Sequence, residues 1–144
     1  MAIATYLLDK SALARAHLPR VSNVLTPLLD AGLLALCGVS HLELLYSARN
    51  VADYLRTRAD LDGLYEWLNT EDTDFRRAID VQESLARSGQ HRGVTLPDLL
   101  IAAVAERHRV SVLHYDADFD LIGEHTGQPT QWVLPSGSIH AGPD

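Results

Sequence analysis

Along the chain, short unbroken apolar runs alternate with longer stretches in which apolar positions recur every three or four residues. Ile3 to Leu8, Leu33 to Cys37 and Val110 to Leu113 are runs of the first kind, and Gln131 to Leu134 closes the series. Runs this short, punctuated by Asp9, Gly38 and other turn residues, predict strands buried on both faces. The longer stretches predict helices. A short one follows Asp9, and a second covers Val21 to Ala31 and stops at Gly32. A third begins near Ser40. From Val51 to Asn69 the residues Leu55, Leu61, Leu64, Tyr65 and Leu68 fit a helix or helix pair, and a short strand or turn follows near Thr70 to Thr73. Further helices are expected over Phe75 to Ser88, ended by Gly89, and over Asp118 to His125. The strongest signal is T-L-P-D-L-L-I-A-A-V-A-E-R-H, with Thr95 as N-cap and Pro97 in the first turn. Buried strands alternating with helices define an α/β domain with a mostly parallel sheet.

The length of 144 residues suits one domain, expected over 1–135, with 136–144 as a flexible C-terminal tail. No run approaches the 18 or so apolar residues of a membrane span, and the N-terminus lacks the basic and apolar regions of a secretory signal. The cytoplasm is therefore the expected compartment. The single cysteine, Cys37, excludes an intramolecular disulfide and a multi-cysteine zinc site.

Charge changes the picture more. Nineteen acids against twelve bases give a net charge of −7, and eleven of the bases are arginine, with Lys10 the only lysine. A protein that grips nucleic acid through bulk positive charge has the opposite balance. Either nucleic acid is not the target, or the acids are gathered in a site that a metal neutralises.

The predicted elements favour gathering. Asp9 ends the first strand, Glu43 follows the second, Asp116 follows the Val110 to Leu113 strand, and Asp98 lies in the first turn of the helix leading into it. Open parallel sheets bind ligands off the carboxyl ends of their strands. Helix capping is the plainer account of each acid: Ser40 with Glu43 matches a capping box, Thr95 with Asp98 a shorter version, and Asp9 and Asp116 could be simple N-caps. Capping does not require that all four be acidic at one end of a sheet. Two carboxylates about 4 Å apart repel by roughly 4 kcal/mol at an effective dielectric near 20, so a shared site calls for a cation. Oxygen ligands without cysteine or paired histidine favour Mg²⁺ or Mn²⁺ over zinc. Carboxylate-held metals commonly activate water and stabilise the leaving oxygen in phosphodiester cleavage. In D-A-D-F-D, Asp116 to Asp120, an EF-hand loop is excluded because its required glycine and glutamate positions are Leu121 and Gly127. A haloacid-dehalogenase-type phosphatase and a phosphoacceptor receiver both need a later lysine, and none follows Lys10.

L-L-D-K-S at Leu7 to Ser11, H-L-E-L at His41 to Leu44, P-D-L-L-I-A-A-V-A at Pro97 to Ala105 and H-Y-D-A-D-F-D at His114 to Asp120 together resemble a PIN domain of the VapC toxin type. The resemblance spans essentially the whole chain. It implies a three-layer α/β/α sandwich and a Mg²⁺- or Mn²⁺-dependent endoribonuclease, the toxin of a type II toxin–antitoxin pair that inhibits translation and growth, with tRNA or rRNA as expected targets. It places the acidic quartet on Asp9, Glu43, Asp98 and Asp116, with Asp118 as a frequent fifth contributor or else a helix cap. Asp9, Asp98 and Asp116 are the expected ligands, and Glu43 a ligand or the group that orients water. Ser11 stands where a small hydroxyl supports the first acid. His114 departs from the threonine or serine of many relatives, which predicts an altered hydrogen bond to Asp116. The resemblance also implies a homodimer and a cognate VapB-type antitoxin that sends a basic side chain toward the acids.

Asp120 is expected to be solvated, and Tyr46, Trp67 and Trp132 fit packing as well as base stacking. Arg87, Gln90, His91 and Arg92 form a polar loop ahead of the Asp98 helix, either an RNA phosphate contact or a solvated connection. A PIN-like binding module without catalysis and a metal-dependent DNA nuclease are the alternatives; loss of a core acid would signal the former, and all four are present.

Overall fold

A computed structural model of the chain describes residues 4–139. Five parallel strands, β1 (Tyr6–Leu8), β2 (Leu34–Cys37), β3 (Glu66–Leu68), β4 (Ser111–His114) and β5 (Thr130–Trp132), form one sheet in the order β3-β2-β1-β4-β5. The helices are α1 (Lys10–Leu13), α2 (Pro19–Asp30), α3 (Gly38–Tyr46), α4 (Val51–Leu64), α5 (Asp72–Arg87), α6 (Leu96–His108) and α7 (Asp118–Thr126).

The strands read as apolar runs because both faces of the sheet are covered. Leu7, Ala35, Cys37 and Val112 pack with α5, α6 and α7 through Leu85, Ile101, Val104 and Phe119. Their neighbours Leu8, Leu34, Leu36 and Leu113 point the other way, onto Ala12, Val21, Leu25, Leu45 and Leu61 from α1 to α4. This two-residue alternation produces the expected α/β/α layers. Helix α6 is buried nearly all round from Ile101 to Ala105, which accounts for its continuous apolar sequence. No helix among the described residues is long and apolar enough to cross a membrane.

Several boundaries differ from the sequence expectation. The Val51 to Asn69 stretch is not wholly helical: α4 stops at Leu64, Tyr65 is extended (φ −117°, ψ 144°), and Glu66–Leu68 form the edge strand. Thr70 to Thr73 hold no strand and instead enter α5. Only Leu68 of β3 is buried, so the strand has no apolar run of its own, and Leu61, Leu64, Tyr65 and Leu68 happen to keep a helical spacing. Helix α3 starts at Gly38, two residues before the expected Ser40. Ser40 Oγ lies 3.3 Å from Cys37 Sγ within the helix and caps nothing.

The expected flexible segment begins at Ser136. In its described part, Ser138 N–H donates to the Pro135 carbonyl and Ile139 N–H to Tyr115 Oη. Residues 140–144, like Ile3 of the first predicted strand, lie outside the described residues.

Candidate active site

The strand order sets the place of the site. From β1 the chain winds outward through β2 to β3, then crosses back to lay β4 on the other side of β1. The direction of winding thus reverses between β1 and β4, the point where an open parallel sheet leaves a crevice at its carboxyl edge. Asp9 follows β1 and is held to β4 by its own N–H, which donates to the Leu113 carbonyl at 2.9 Å. Asp116 lies two residues beyond β4, Glu43 in the second turn of α3 beyond β2, and Asp98 in the first turn of α6.

Capping does not exhaust these acids. Asp9 caps α1 with one oxygen, Oδ2, accepting from Ser11 N–H at 2.9 Å, while its buried Oδ1 has no partner among the described residues. Glu43 is not in a capping position, because α3 begins five residues earlier, and its buried Oε1 is likewise unpartnered. The Thr95–Asp98 box is only half formed. Thr95 accepts from Asp98 N–H, but Thr95 N–H donates to Asp118 Oδ2 at 3.1 Å, so the Asp98 carboxyl does not close the box. Asp116 Oδ1 accepts from Asp118 N–H at 2.9 Å. One carboxylate oxygen each from Asp98, Asp116 and Asp118 lie within 4.8 Å of one another, a spacing that one cation can bridge.

The charges respond to this crowding. Burial, followed by the field of Asp9, a hydrogen bond with the Asp118 side chain and the fields of Asp116 and Asp118, pushes Asp98 up to about 9. Burial raises Glu43, with Asp9 adding to the shift and Lys10 opposing it. Asp116 is also raised, by burial first, although the Asp118 N–H pulls the other way. Carboxyls raised by burial and by one another for want of a counter-charge have the donor chemistry a hard divalent cation would satisfy. The residues therefore fit the metal that the sequence implies.

Around the acids, Ser11 does more than accompany Asp9. Its Oγ accepts from Tyr115 N–H at 2.8 Å, joining the start of α1 to the residue just before Asp116. Arg87 ends α5 in an exposed pair with Glu83, and His91 and Arg92 are exposed in the loop before α6. That loop adjoins the acids through the Thr95–Asp118 bond. Asp120 stays outside the cluster as expected, but its carboxylate accepts from Trp132 Nε1 at 3.0 and 3.1 Å. Sequence reasoning missed that pair, and nothing in the spacing of the two residues announced it. His114 is fully buried and its pKa is lowered, chiefly by burial.

A parallel α/β/α sandwich with carboxylates gathered at the winding reversal is the architecture of the PIN domain, and residues 6–124 match that family. Ribonuclease VapC21 of Mycobacterium tuberculosis is 49% identical over 133 residues, spanning 92% of this chain and 96% of the relative. Ribonuclease VapC51 of the same species is 45% identical over 134 residues, 93% of this chain and 96% of the relative. The chain belongs to the PIN-domain family, among its VapC ribonucleases. The fold is shared with the DNA-bound VapBC complex of Salmonella typhimurium, with a TM-score of 0.75, 16% identity, and 92% and 100% of the two chains covered. VapBC-1 of nontypeable Haemophilus influenzae gives a TM-score of 0.73 at 18% identity, covering 89% and 97%.

Proposed function

We propose that this chain is the toxin of a type II toxin–antitoxin pair, an endoribonuclease dependent on Mg²⁺ or Mn²⁺ that hydrolyses RNA phosphodiester bonds. The observation that carries the reading is the convergence of Asp9, Glu43, Asp98, Asp116 and Asp118 on one crevice, with oxygens on Asp9 and Glu43 left unpartnered. The names of relatives up to 49% identical agree with it.

In this reading Asp9, Asp98 and Asp116 hold the metal, with Asp118 assisting. A divalent ion there supplies Lewis acidity toward water and the scissile phosphate. Glu43 orients the attacking water from the β2 side of the crevice. Ser11 keeps the Asp9 and Asp116 segments in register through its two hydrogen bonds. Arg87, His91 and Arg92 meet RNA phosphates flanking the cleaved bond, which suits a chain whose net charge gives no general attraction to RNA.

Two protein partners complete the proposal. A VapB-type antitoxin is supported by the neighbours of the same fold, which are VapBC complexes. A basic segment of that partner would suit the acidic crevice. A second copy of the chain would cover the open groove of about 430 Å³ between α5 and α6, where Phe75, Ile79 and Leu96 expose large apolar surface.

The test is to induce the wild type and Asp9→Ala in parallel and map new RNA ends across the transcriptome, with circular dichroism confirming that the variant folds. Cleavage and growth arrest are expected from the wild type alone. Equal cleavage from both proteins would overturn the assignment.

A further inference from the structure

Two residues before Asp116, a polar ring sits in an apolar setting. The His114 side chain has no solvent exposure and lies between Phe119 and Trp132, with ring centroids 4.9 Å from each. Burying an imidazole here costs free energy that hydrogen bonding offsets at only one of its two nitrogens. Its one hydrogen bond identifies the task, because Nδ1 accepts from the backbone N–H of Asp116 at 3.1 Å. An N–H donor requires a lone pair at Nδ1, so the ring is the tautomer with its proton on Nε2. Nε2 is buried without a partner among the described residues, so it is not in reach of a substrate proton.

The Asp116 turn is thereby gripped at two points: its carboxylate accepts from Asp118 N–H, and its own N–H is anchored on His114. The ring is braced in turn by Trp132, whose indole N–H is fixed on the Asp120 carboxylate. We infer that His114 is a positioning residue for the reaction, an internal hydrogen-bond acceptor that aims the Asp116 carboxylate into the crevice. The inference rests on the reading that these acids hold a divalent cation. It also gives Trp132 and Asp120 a place in the site, as the outer brace of the ring.

Two substitutions separate aiming from packing. Asn places its Oδ1 at the same bond separation as Nδ1 and so retains the acceptor, but leaves the outer part of the ring's volume empty. Leu fills more of that apolar space and offers no acceptor. The experiment measures Mn²⁺ binding by calorimetry, the thermal transition, and single-turnover cleavage of an RNA that the wild type cuts, for wild type, His114→Asn and His114→Leu. His114→Asn is expected to keep Mn²⁺ affinity within about threefold of the wild type. His114→Leu is expected to lose about ten- to hundredfold, the range typical of supporting partners of metal ligands, while being no less stable than His114→Asn. Wild-type Mn²⁺ affinity in His114→Leu, or affinities that simply follow the thermal transitions, would overturn the inference. If His114→Leu does not fold, His114→Ala against His114→Asn makes the same comparison with similar cavities. Long-range ¹H–¹⁵N spectra provide a separate check, since a proton on Nδ1 would contradict the proposed acceptor. A wild type that binds Mn²⁺ but cuts no RNA would defeat the functional reading and leave the His114 comparison decisive on its own.

Discussion

Removing the counter-cation from a crowded set of carboxylates makes the fold itself sensitive to pH, and Asp98 dominates that sensitivity. The residue is 5% exposed, and its carboxyl is pushed up to about 9 by burial and by its acidic neighbours. In the unfolded chain the same carboxyl titrates near its ordinary value of 3.8. Between these values the native state keeps a proton that the unfolded state has lost, so unfolding releases it. The contribution to stability is fully present below about pH 4 and is lost steadily as the pH rises toward 9. One proton corresponds to at most about 1.4 kcal/mol per pH unit, so metal-free protein should lose about 3 kcal/mol between pH 5.5 and 7.5. For a chain of this size that is about 9 °C in the thermal transition. The assay is urea or thermal unfolding in EDTA at both pH values, for the wild type and Asp98→Asn. The asparagine mimics the neutral acid and should flatten the slope. Saturating Mg²⁺ or Mn²⁺ should raise the wild type at pH 7.5 and scarcely move the variant. Identical pH dependence in the two metal-free proteins would refute the reasoning.

Two further outcomes are expected. Ser11→Ala strands the Tyr115 N–H and should cost about 1–3 kcal/mol, measured by urea unfolding, with a loss of Mn²⁺ affinity beside it. Ile79→Arg puts a charge into the exposed groove between α5 and α6 and should turn the proposed dimer into a monomer by light scattering, leaving the thermal transition of the isolated subunit nearly unchanged.

How far these features could be read from the letters depended on their range. A parallel sheet brings all its carboxyl ends to one edge, so an acid directly after a buried run, such as Asp9 after Leu8, has its position decided by local pattern alone. The Thr95 cap and Pro97 are equally local and placed Asp98 within its first turn. Strand β3 escaped because an edge strand with one buried residue has no periodicity to betray it. The start of α3 was misplaced because S-x-x-E imitates a capping box, and only the sheet shows that Gly38 already belongs to the helix. Long-range polar pairs escaped altogether. Arg107 grips the buried Asp74 at 2.9 and 3.0 Å and Arg77 grips Glu106 at 2.6 Å, locking α5 to α6 across about thirty residues of sequence. His114 was noted as a departure, but its acceptor role depends on the ring orientation that Phe119 and Trp132 impose.

Tyr115 carries a consequence for handling the protein. Its backbone N–H is spent on Ser11, its ring lies beneath the Arg15 guanidinium at 4.8 Å, and its phenol oxygen receives the N–H of Ile139. The strand of chain beyond β5 is thus moored to the residue beside Asp116. A fusion that broke this mooring would be expected to lower Mn²⁺ affinity, which a comparison of tagged protein with tag-cleaved protein would show.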